Sequence, residues 1–368
     1  MRYPQDVPRL SDGTVTLRAH DLDDVPGCME QSLDPVSRLW TTVPVPYTVD
    51  DAHRFIGESI PDGWRTDREW AFAVEADGRY GGTVSLRNRE HQRAEIAFGA
   101  HPDVRGRGVM ERALRLLLDW GFEVHDLRTV LWMANRGNWA SRKLAWRLGF
   151  AFEGTLHQWL PHRDELVDAW TGQLLRGDAR LPRHPWLPVP RIEGEGVVLR
   201  AFRAPDAVRL REALSDERAT HWLGHLPLPF SPEAAEGYVE ERHEHAARGS
   251  GVHFAVADPR TDELLGNVSA FQIRPGWQAE VGYFAHPDAR GRGVIGEAVA
   301  LLVRHCFVPV EDGGLGLRRL YLLTAVENTA SRHVAEVNGF TLYGVERGGT
   351  IMRDRSLVDT ACYDLLPR

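Results

Sequence analysis

Arg105–Met110 reads RGRGVM, and Arg290–Ile295 reads RGRGVI. Each follows an apolar segment that closes on Ala-His-Pro-Asp, at Ala100–Asp103 and Ala285–Asp288. Each opens a segment with apolar residues at helical spacing. Leu114, Leu117, Leu118 and Gly121 share one face after the first loop, and Val299, Leu302, Val303 and Cys306 after the second. This i, i+3, i+4, i+7 pattern predicts a helix with one buried face. The order is therefore strand, tight basic glycine loop, helix. Backbone N–H groups at a helix start lack intrahelical partners, and the helix dipole adds partial positive charge there. Glycine lets a ligand approach the backbone closely, and arginine adds full charge. Such a loop favours a phosphate or pyrophosphate. One copy fits an ordinary tight turn equally well. Two copies in matching contexts point to a ligand site.

Working outward, the two loops belong to an internal repeat. Val15-Thr-Leu-Arg18 matches Val197-Val-Leu-Arg200 at an offset of 182, and Ala94-Glu95-Ile96 matches Ala279-Glu280-Val281 at 185. Asn138-Trp-Ala-Ser141 matches Asn328-Thr-Ala-Ser331, and Gly149-Phe150 matches Gly339-Phe340, both at 190. An offset that grows in small steps describes one fold duplicated with short loop insertions. The largest step falls within Val308–Leu317, where Glu311–Gly314 reads as a loop. Between the halves, Leu181–Pro190 carries four prolines in ten positions, a stiff extended linker. Its Trp186 and Leu187 are candidates to pack on a domain.

Composition sets bounds. A chain of 368 residues suggests two domains, since single cores stop growing near about 250–300 residues. The net charge of -8 argues against nucleic acid as a partner and suits a cationic substrate. Cys28, Cys306 and Cys362 are scattered and odd in number, so neither a disulfide framework nor a zinc site is indicated. Cys306 reads as core. The opening MRYPQDVPRL lacks an apolar signal region, and no apolar run reaches membrane-spanning length. A cytoplasmic, reducing location and no membrane partner are expected.

Each half reads alike. A first strand (Thr14–Arg18; Val197–Arg200) precedes a helix (about Leu22–Ser32; Pro205–Ser215). Strands follow near Ala71–Glu75 and Thr83–Arg87, matched by Val252–Ala257 and Leu264–Phe271. Glu95–Ala100 or Glu280–Ala285 leads into the loop. After the loop helix come a strand (Val130–Ala134; Leu320–Val326) and a short helix from Asn138 or Asn328 to a capping Gly149 or Gly339. Mixed strands and helices around one sheet give an α/β or α+β domain, twice.

Together these residues resemble the GNAT superfamily of acyl-CoA-dependent N-acyltransferases, most nearly its RimJ/RimL-like branch. The resemblance rests on VTLR and VVLR, AEI and AEV, the two glycine loops, NWAS and NTAS, and LGF and NGF, in order and duplicated. It implies two tandem GNAT domains, each with a mixed, mostly antiparallel central sheet flanked by helices. Their expected bounds are 1–178 and 193–368, with a Pro-rich linker at 179–192. The family loop runs Gln/Arg-x-x-Gly-x-Gly/Ala. Arg105 with Gly108, and Arg290 with Gly293, fit it. Met110 and Ile295 depart from its last position.

The resemblance further implies acetyl-CoA as cofactor. Its pyrophosphate would sit on the amides of Arg105, Gly106, Arg107, Gly108, Val109 and Met110, and of Arg290, Gly291, Arg292, Gly293, Val294 and Ile295. Asn138 and Asn328 would contact it. The pantetheine would lie where the fourth and fifth strands splay apart, with a fourth-strand N–H polarising the thioester carbonyl.

Amine acylation needs an ammonium to lose a proton, a polarised carbonyl, and a proton for the leaving thiolate. Glu95 and Glu280 are the candidate bases. The bland alternatives are a surface carboxylate or an anion that attracts the acceptor. Ser141 and Ser331 match the serine that some RimL-like proteins use to protonate the thiolate. Their bland role, like that of Asn138 and Asn328, is capping a helix start. Trp40, Trp64, Asp62 and Asp67 could hold an amine through cation–π and charge contacts, or simply pack. His221 and Trp222 occupy a comparable place in the second half. In the cluster Glu240–His245, His243 and His245 are two apart and face different ways on a helix, so a solvated face is expected rather than a metal site.

Two functions follow. One is an acetyl-CoA-dependent N-acetyltransferase, an acyltransferase that acts by direct transfer to a small-molecule amine such as an antibiotic, or to a peptide or protein amine. The other is a CoA-binding or scaffold module with one catalytically inactive half. Duplication predicts a monomer with pseudo-dimeric halves, or a homodimer.

Overall fold

The computed structural model describes residues 2–224 and 226–367. The chain forms two compact units, Met1–Arg183 and His184–Arg368. In the first, an eight-stranded sheet runs in the order β1-β2-β3-β4-β5-β6-β8-β7. The strands are β1 (Leu10–Ser11), β2 (Val15–Arg18), β3 (Glu69–Ala76), β4 (Arg79–Arg89), β5 (Arg93–Ala100), β6 (Thr129–Asn135), β7 (Ala151–His162) and β8 (Glu165–Leu175). Its helices are α1 (Val25–Leu33), α2 (Pro35–Trp40), α3 (Val49–Arg54), α4 (Ile60–Arg65), α5 (Val109–Glu123) and α6 (Trp139–Arg147). The second unit repeats the plan with β9 (Ile192–Glu193), β10 (Val198–Arg200), β11 (Gly251–Ala257), β12 (Leu264–Arg274), β13 (Gln278–Ala285), β14 (Arg319–Ala325), β15 (Thr341–Ile351) and β16 (Leu357–Leu365). Its helices are α7 (Asp206–Ser215), α8 (Glu217–Trp222), α9 (Pro232–Ala247), α10 (Val294–Phe307) and α11 (Thr329–Val337). Its sheet runs β15-β16-β14-β13-β12-β11-β10-β9, the same order read from the other edge.

Within each sheet the pairs are antiparallel except one, β5 with β6 and β13 with β14. That parallel pair needs a crossover, which the glycine loop and α5 or α10 supply. The spacing of the apolar residues explains the packing. Leu114, Leu117 and Leu118 on α5, and Val299, Leu302 and Cys306 on α10, are fully buried against the central strands. Met110 and Ile295 turn into these same cores. Their bulk therefore fills the interior and does not cover the outer side of the loop.

The repeated VTLR and VVLR have a structural reason. Arg18 ends β2 and donates to Asp24 (2.7 Å) and Glu75 (2.8 Å). Arg200 does the same with Asp206 (2.8 Å) and Asp262 (2.7 Å). Each guanidinium ties the first long strand to the following helix segment, and its charge is met by these two carboxylates, with Asp21 a third partner of Arg18 at 3.5 Å. Gly149 and Gly339 lie at φ 85° and 83°, a left-handed conformation that favours glycine. Phe150 N–H then bonds back to Ala145 O and Phe340 N–H to Ala335 O, both at 3.1 Å, closing the short helices. In the proline-rich segment, Leu187 packs against the second core, and its N–H bonds to Ala246 O. Among the described residues no helix is long and apolar enough to cross a membrane.

Candidate active site

The parallel ladders stop early. β5 pairs with β6 only from Arg93–Thr129 to Ile96–Trp132, although β5 runs on to Ala100 and β6 to Asn135. β13 pairs with β14 only as far as Glu280–Tyr321. Beyond those points the strands diverge, leaving a V-shaped gap with Glu95 or Glu280 at its narrow end. Strand polarity gives the gap its chemistry. His101 N–H bonds to Gly81 O across the antiparallel β4 side. By alternation, Phe98 then turns its N–H and C=O toward the gap. His286 N–H bonds to Leu265 O, which directs the backbone of Tyr283 the same way. Each gap thus offers an N–H donor that the sheet does not use.

The glycine loop lies at the wide end of the gap. Gly106 and Gly108 have φ of 73° and 76°, and Gly291 and Gly293 have 71° and 76°. A side chain at any of these four glycines would meet open space, so the backbone is left bare on that side. Gly108 and Gly293 occupy the N-cap positions of α5 and α10, and no side chain caps either helix. The exposed amides and the dipoles of helices 15 and 14 residues long make a fitting cradle for a diphosphate. The guanidinium groups of Arg105 and Arg290 are engaged within the protein. Arg105 donates to Asp34 (2.6 Å) and Ser37 (2.9 Å), and Arg290 to Asp216 (2.5 Å). These carboxylates cap α2 and α8, so each arginine fastens its loop to a helix. Arg107 reaches Asp77 at 2.5 Å.

Asn138 and Asn328 cap α6 and α11, accepting the N–H of Ser141 (3.1 Å) and Ser331 (3.2 Å). The two serines differ. Ser141 is buried, and its hydroxyl accepts the indole N–H of Trp132 at 3.0 Å. Ser331 is half-buried, and its hydroxyl lies 3.2 Å from the Tyr283 phenol. That phenol also donates to Ser331 O at 2.8 Å, and burial pushes its pKa up to about 12.

The glutamates differ as well. Glu95 is held by Arg89 (2.8 Å) and Arg87 (3.5 Å). Glu280 accepts from Gln272 Nε2 (3.1 Å). Burial pushes its carboxyl above the ordinary carboxylate value, partly offset by a hydrogen bond from Tyr321. In the second unit a cleft of about 450 Å³ lies between α8, at Glu217, His221 and Trp222, and the segment Glu327–Ala330 that opens α11. Because Arg290 binds α8 to its loop and Glu327 follows the end of β14, this cleft is at the mouth of the gap.

Of the two roles open to the aromatic-acidic residues of the first unit, packing holds for most of them. Trp64 is fully buried in the core, and its indole N–H bonds to Ala71 O at 2.9 Å. Asp62 is taken by Arg65 and Arg68, and Asp67 accepts the Trp70 indole N–H. Only Trp40 lies by the site, with its ring edge 3.5 Å from where a Gly137 side chain would start. The histidine cluster is not a solvated face either. His245 turns inward to His253 (2.7 Å), which contacts Ser269 (2.8 Å) in a buried polar chain. Sequence reasoning missed Tyr283, Gln272, Arg87 and Arg89. Of these, only Tyr283, aligned with Phe98 at the loop offset, was findable from the repeat.

The profile of the family described as "Acetyltransferase (GNAT) domain" matches residues 14–151 and 197–341. Two splayed parallel pairs, each crossed by a glycine loop, define one fold class, and the chain belongs to this acetyltransferase family in both units. Part of the chain is 36% identical over 90 residues to the spermidine N(1)-acetyltransferase of Escherichia coli K12, covering 24% of this chain and 48% of that protein. Another alignment, 33% identical over 96 residues, is to the ribosomal-protein-serine acetyltransferase of the same organism, covering 26% and 51%. The chain thus spans about half the length of these curated relatives. Among solved structures, RimJ of Mycobacterium smegmatis in complex with CoA-disulfide aligns at 22% identity and a TM-score of 0.43, over 48% of this chain and 90% of that one.

Proposed function

We propose that the protein transfers an acetyl group from acetyl-CoA to a primary amine. The observation that carries this reading is the gap itself: a parallel pair that parts at a glutamate, with a bare amide cradle at its open end. Acetyl-CoA supplies an activated thioester. The amides of Gly106, Gly108, Val109 and Met110, and of Gly291, Arg292, Gly293, Val294 and Ile295, would hold its diphosphate, whereas those of Arg105, Arg107 and Arg290 are already bonded to Pro102 O, Val104 O and Pro287 O; Asn138 and Asn328 mark the other lip of each gap. The N–H of Phe98 or Tyr283 is aimed to stabilise negative charge on a carbonyl oxygen. Glu95 and Glu280 are placed at the narrow end to accept the amine proton, and Ser141 and Ser331 on α6 and α11 to supply one. With both substrates held side by side, no covalent intermediate on the protein is needed.

The acidic net charge favours a cationic acceptor, as does the α8 cleft, where Glu217 and Glu327 stand against one cation, Arg218. The two relatives named above suggest where to begin, with a polyamine and with a protein amine. The test is free-thiol release from acetyl-CoA with spermidine, a peptide bearing N-terminal serine, and an aminoglycoside, run beside calorimetry of CoA binding. Amine-dependent thiol release with two CoA per chain is the expected result. CoA binding without thiol release from any amine would leave a binding module instead. The domains are proposed to divide as 1–178 and 193–368, with the proline-rich 179–192 joining them and its end, from Leu187 to Ile192, lying against the second core.

A further inference from the structure

We propose that acyl transfer is confined to the C-terminal unit, where Glu280 takes the amine proton and the Tyr283–Ser331 hydroxyl pair serves the leaving sulfur, while the N-terminal unit binds CoA without turning it over. This rests on the acetyl-transfer reading and separates its two sites.

The first ground is what surrounds the two glutamates. In the register of β4 with β5, Arg87 stands opposite Glu95; in that of β12 with β13, Phe271 stands opposite Glu280. Residues directly opposite in an antiparallel pair share a face. Glu95 therefore has Arg87 beside one carboxylate oxygen and Arg89 on the other, at 3.5 Å and 2.8 Å. To take a proton it must give up charge-assisted hydrogen bonds, which are stronger than neutral ones. Glu280 meets an aromatic ring and two neutral groups, Gln272 and Tyr321. Its burial disfavours the charged form, the direction that suits a proton acceptor near neutral pH.

The second ground is independent and lies on the other face of the same strand. Side chains three apart on a strand point to opposite faces, so Tyr283 projects away from Glu280 and toward α11. There its phenol and the Ser331 hydroxyl are 3.2 Å apart. The N-terminal unit has Phe98 in place of Tyr283 and so lacks the phenol. Its Ser141 hydroxyl is buried under Trp132, where the C-terminal unit has Leu322. A gap with a base on one face and a protonated hydroxyl pair on the other is equipped for both proton transfers. The amine nitrogen bonds to the acyl carbon as the carbon–sulfur bond breaks. The amine proton passes to Glu280, and the electron pair leaves with sulfur. The sulfur takes a proton from the Tyr283–Ser331 pair, which water re-protonates as Glu280 releases its own.

The test is the size of the loss from single C-terminal variants of the full chain, using whichever amine of the panel turns over. If both units worked alike, Glu280→Gln would leave about half the rate. Confinement predicts a loss of at least 50-fold in kcat, with CoA stoichiometry still two per chain and the acid limb of the kcat/KM profile gone. Tyr283→Phe is expected to lower kcat about tenfold with KM for acetyl-CoA unchanged. Phe271→Arg with Gln272→Arg, which puts one guanidinium opposite Glu280 and a second where Gln272 now contacts it, should cost at least tenfold while CoA still binds. A loss of twofold or less in Glu280→Gln, or full activity in the clamped variant, would overturn the confinement and leave amine acetylation standing. Absence of turnover by the wild-type chain with every amine would overturn both.

Discussion

Asp216 and Arg290 join the glycine loop to the helix in front of it. The Asp216 carboxylate takes the Arg290 guanidinium at 2.5 Å and the Ala219 N–H at 3.1 Å, so one side chain both caps α8 and anchors the loop. Asp34 and Arg105 repeat the arrangement, at 2.6 Å, with the cap on Ser37 N–H. Arg290 first, and then the cap, hold the Asp216 carboxyl below its ordinary value of 3.8.

Asp216→Ala should therefore do two things. Loss of the cap costs about 1 kcal/mol of stability, and a loosened loop weakens CoA binding in the second unit alone. Because the folded-state pKa is depressed, the stabilisation is present above 3.8 and fades as pH falls through the lower folded value. Urea midpoints for wild type and variant should differ at pH 7 and converge only below that range. A gap that widens on acidification would contradict the linkage.

The glycine cradle is tested at Gly108. Its φ of 76° costs a non-glycine residue about 1–2 kcal/mol, and a carboxylate there would face the bound diphosphate. Gly108→Glu should reduce calorimetric CoA stoichiometry from two to one. Two sites of unchanged affinity would make the loop a turn and nothing more.

The ion pair of Arg200 with Asp206 is a stability element. Both side chains are nearly buried, 6% and 4% exposed. Asp206→Ala leaves the guanidinium with only the more exposed Asp262 as an anionic partner, and a broken buried pair typically costs about 3–5 kcal/mol. A guanidinium unfolding curve should show it. Asp24→Ala is expected to cost less, because Arg18 is 18% exposed and keeps Glu75.

What could be read from the chain was whatever depends on local order. The loop helices announced themselves through apolar spacing, and the short helices through their glycine ends. The hairpins β7–β8 and β15–β16 carry no such sign. β7 and β15 are largely exposed edge strands whose register shifts, as between Phe152 and Gly154, so no alternation survives. For Trp64 the sequence left binding and packing open, because an indole among acids looks the same in either role; the fold decides for packing by burying it. The clamp on Glu95 was invisible for a different reason. Arg87 and Arg89 sit six to eight positions away, and only the antiparallel turn of β4 into β5 brings them to the carboxylate.

Glu280 should be a burden on stability for the reason it suits proton transfer. Its folded-state pKa is raised above 4.5, with burial as the first cause and Tyr321 opposing it. The groups around it are Gln272 and Phe271 on β12 and Tyr321 on β14, while Arg274 and Arg319 act on Tyr321. A raised carboxyl pKa means the folded chain holds its proton more tightly than the unfolded one. The neutral carboxyl's advantage is complete below 4.5 and is lost as pH rises through the folded value. Glu280→Gln, which keeps the shape and removes the charge, should thus melt higher than wild type at pH 8. The difference should shrink steadily toward pH 4. The same variant is expected to lose acetyl transfer, so stability and rate would move in opposite directions at one residue. A melting temperature that falls at pH 8 would mean the carboxylate is a structural anion, held in place by its neighbours rather than poised to take a proton.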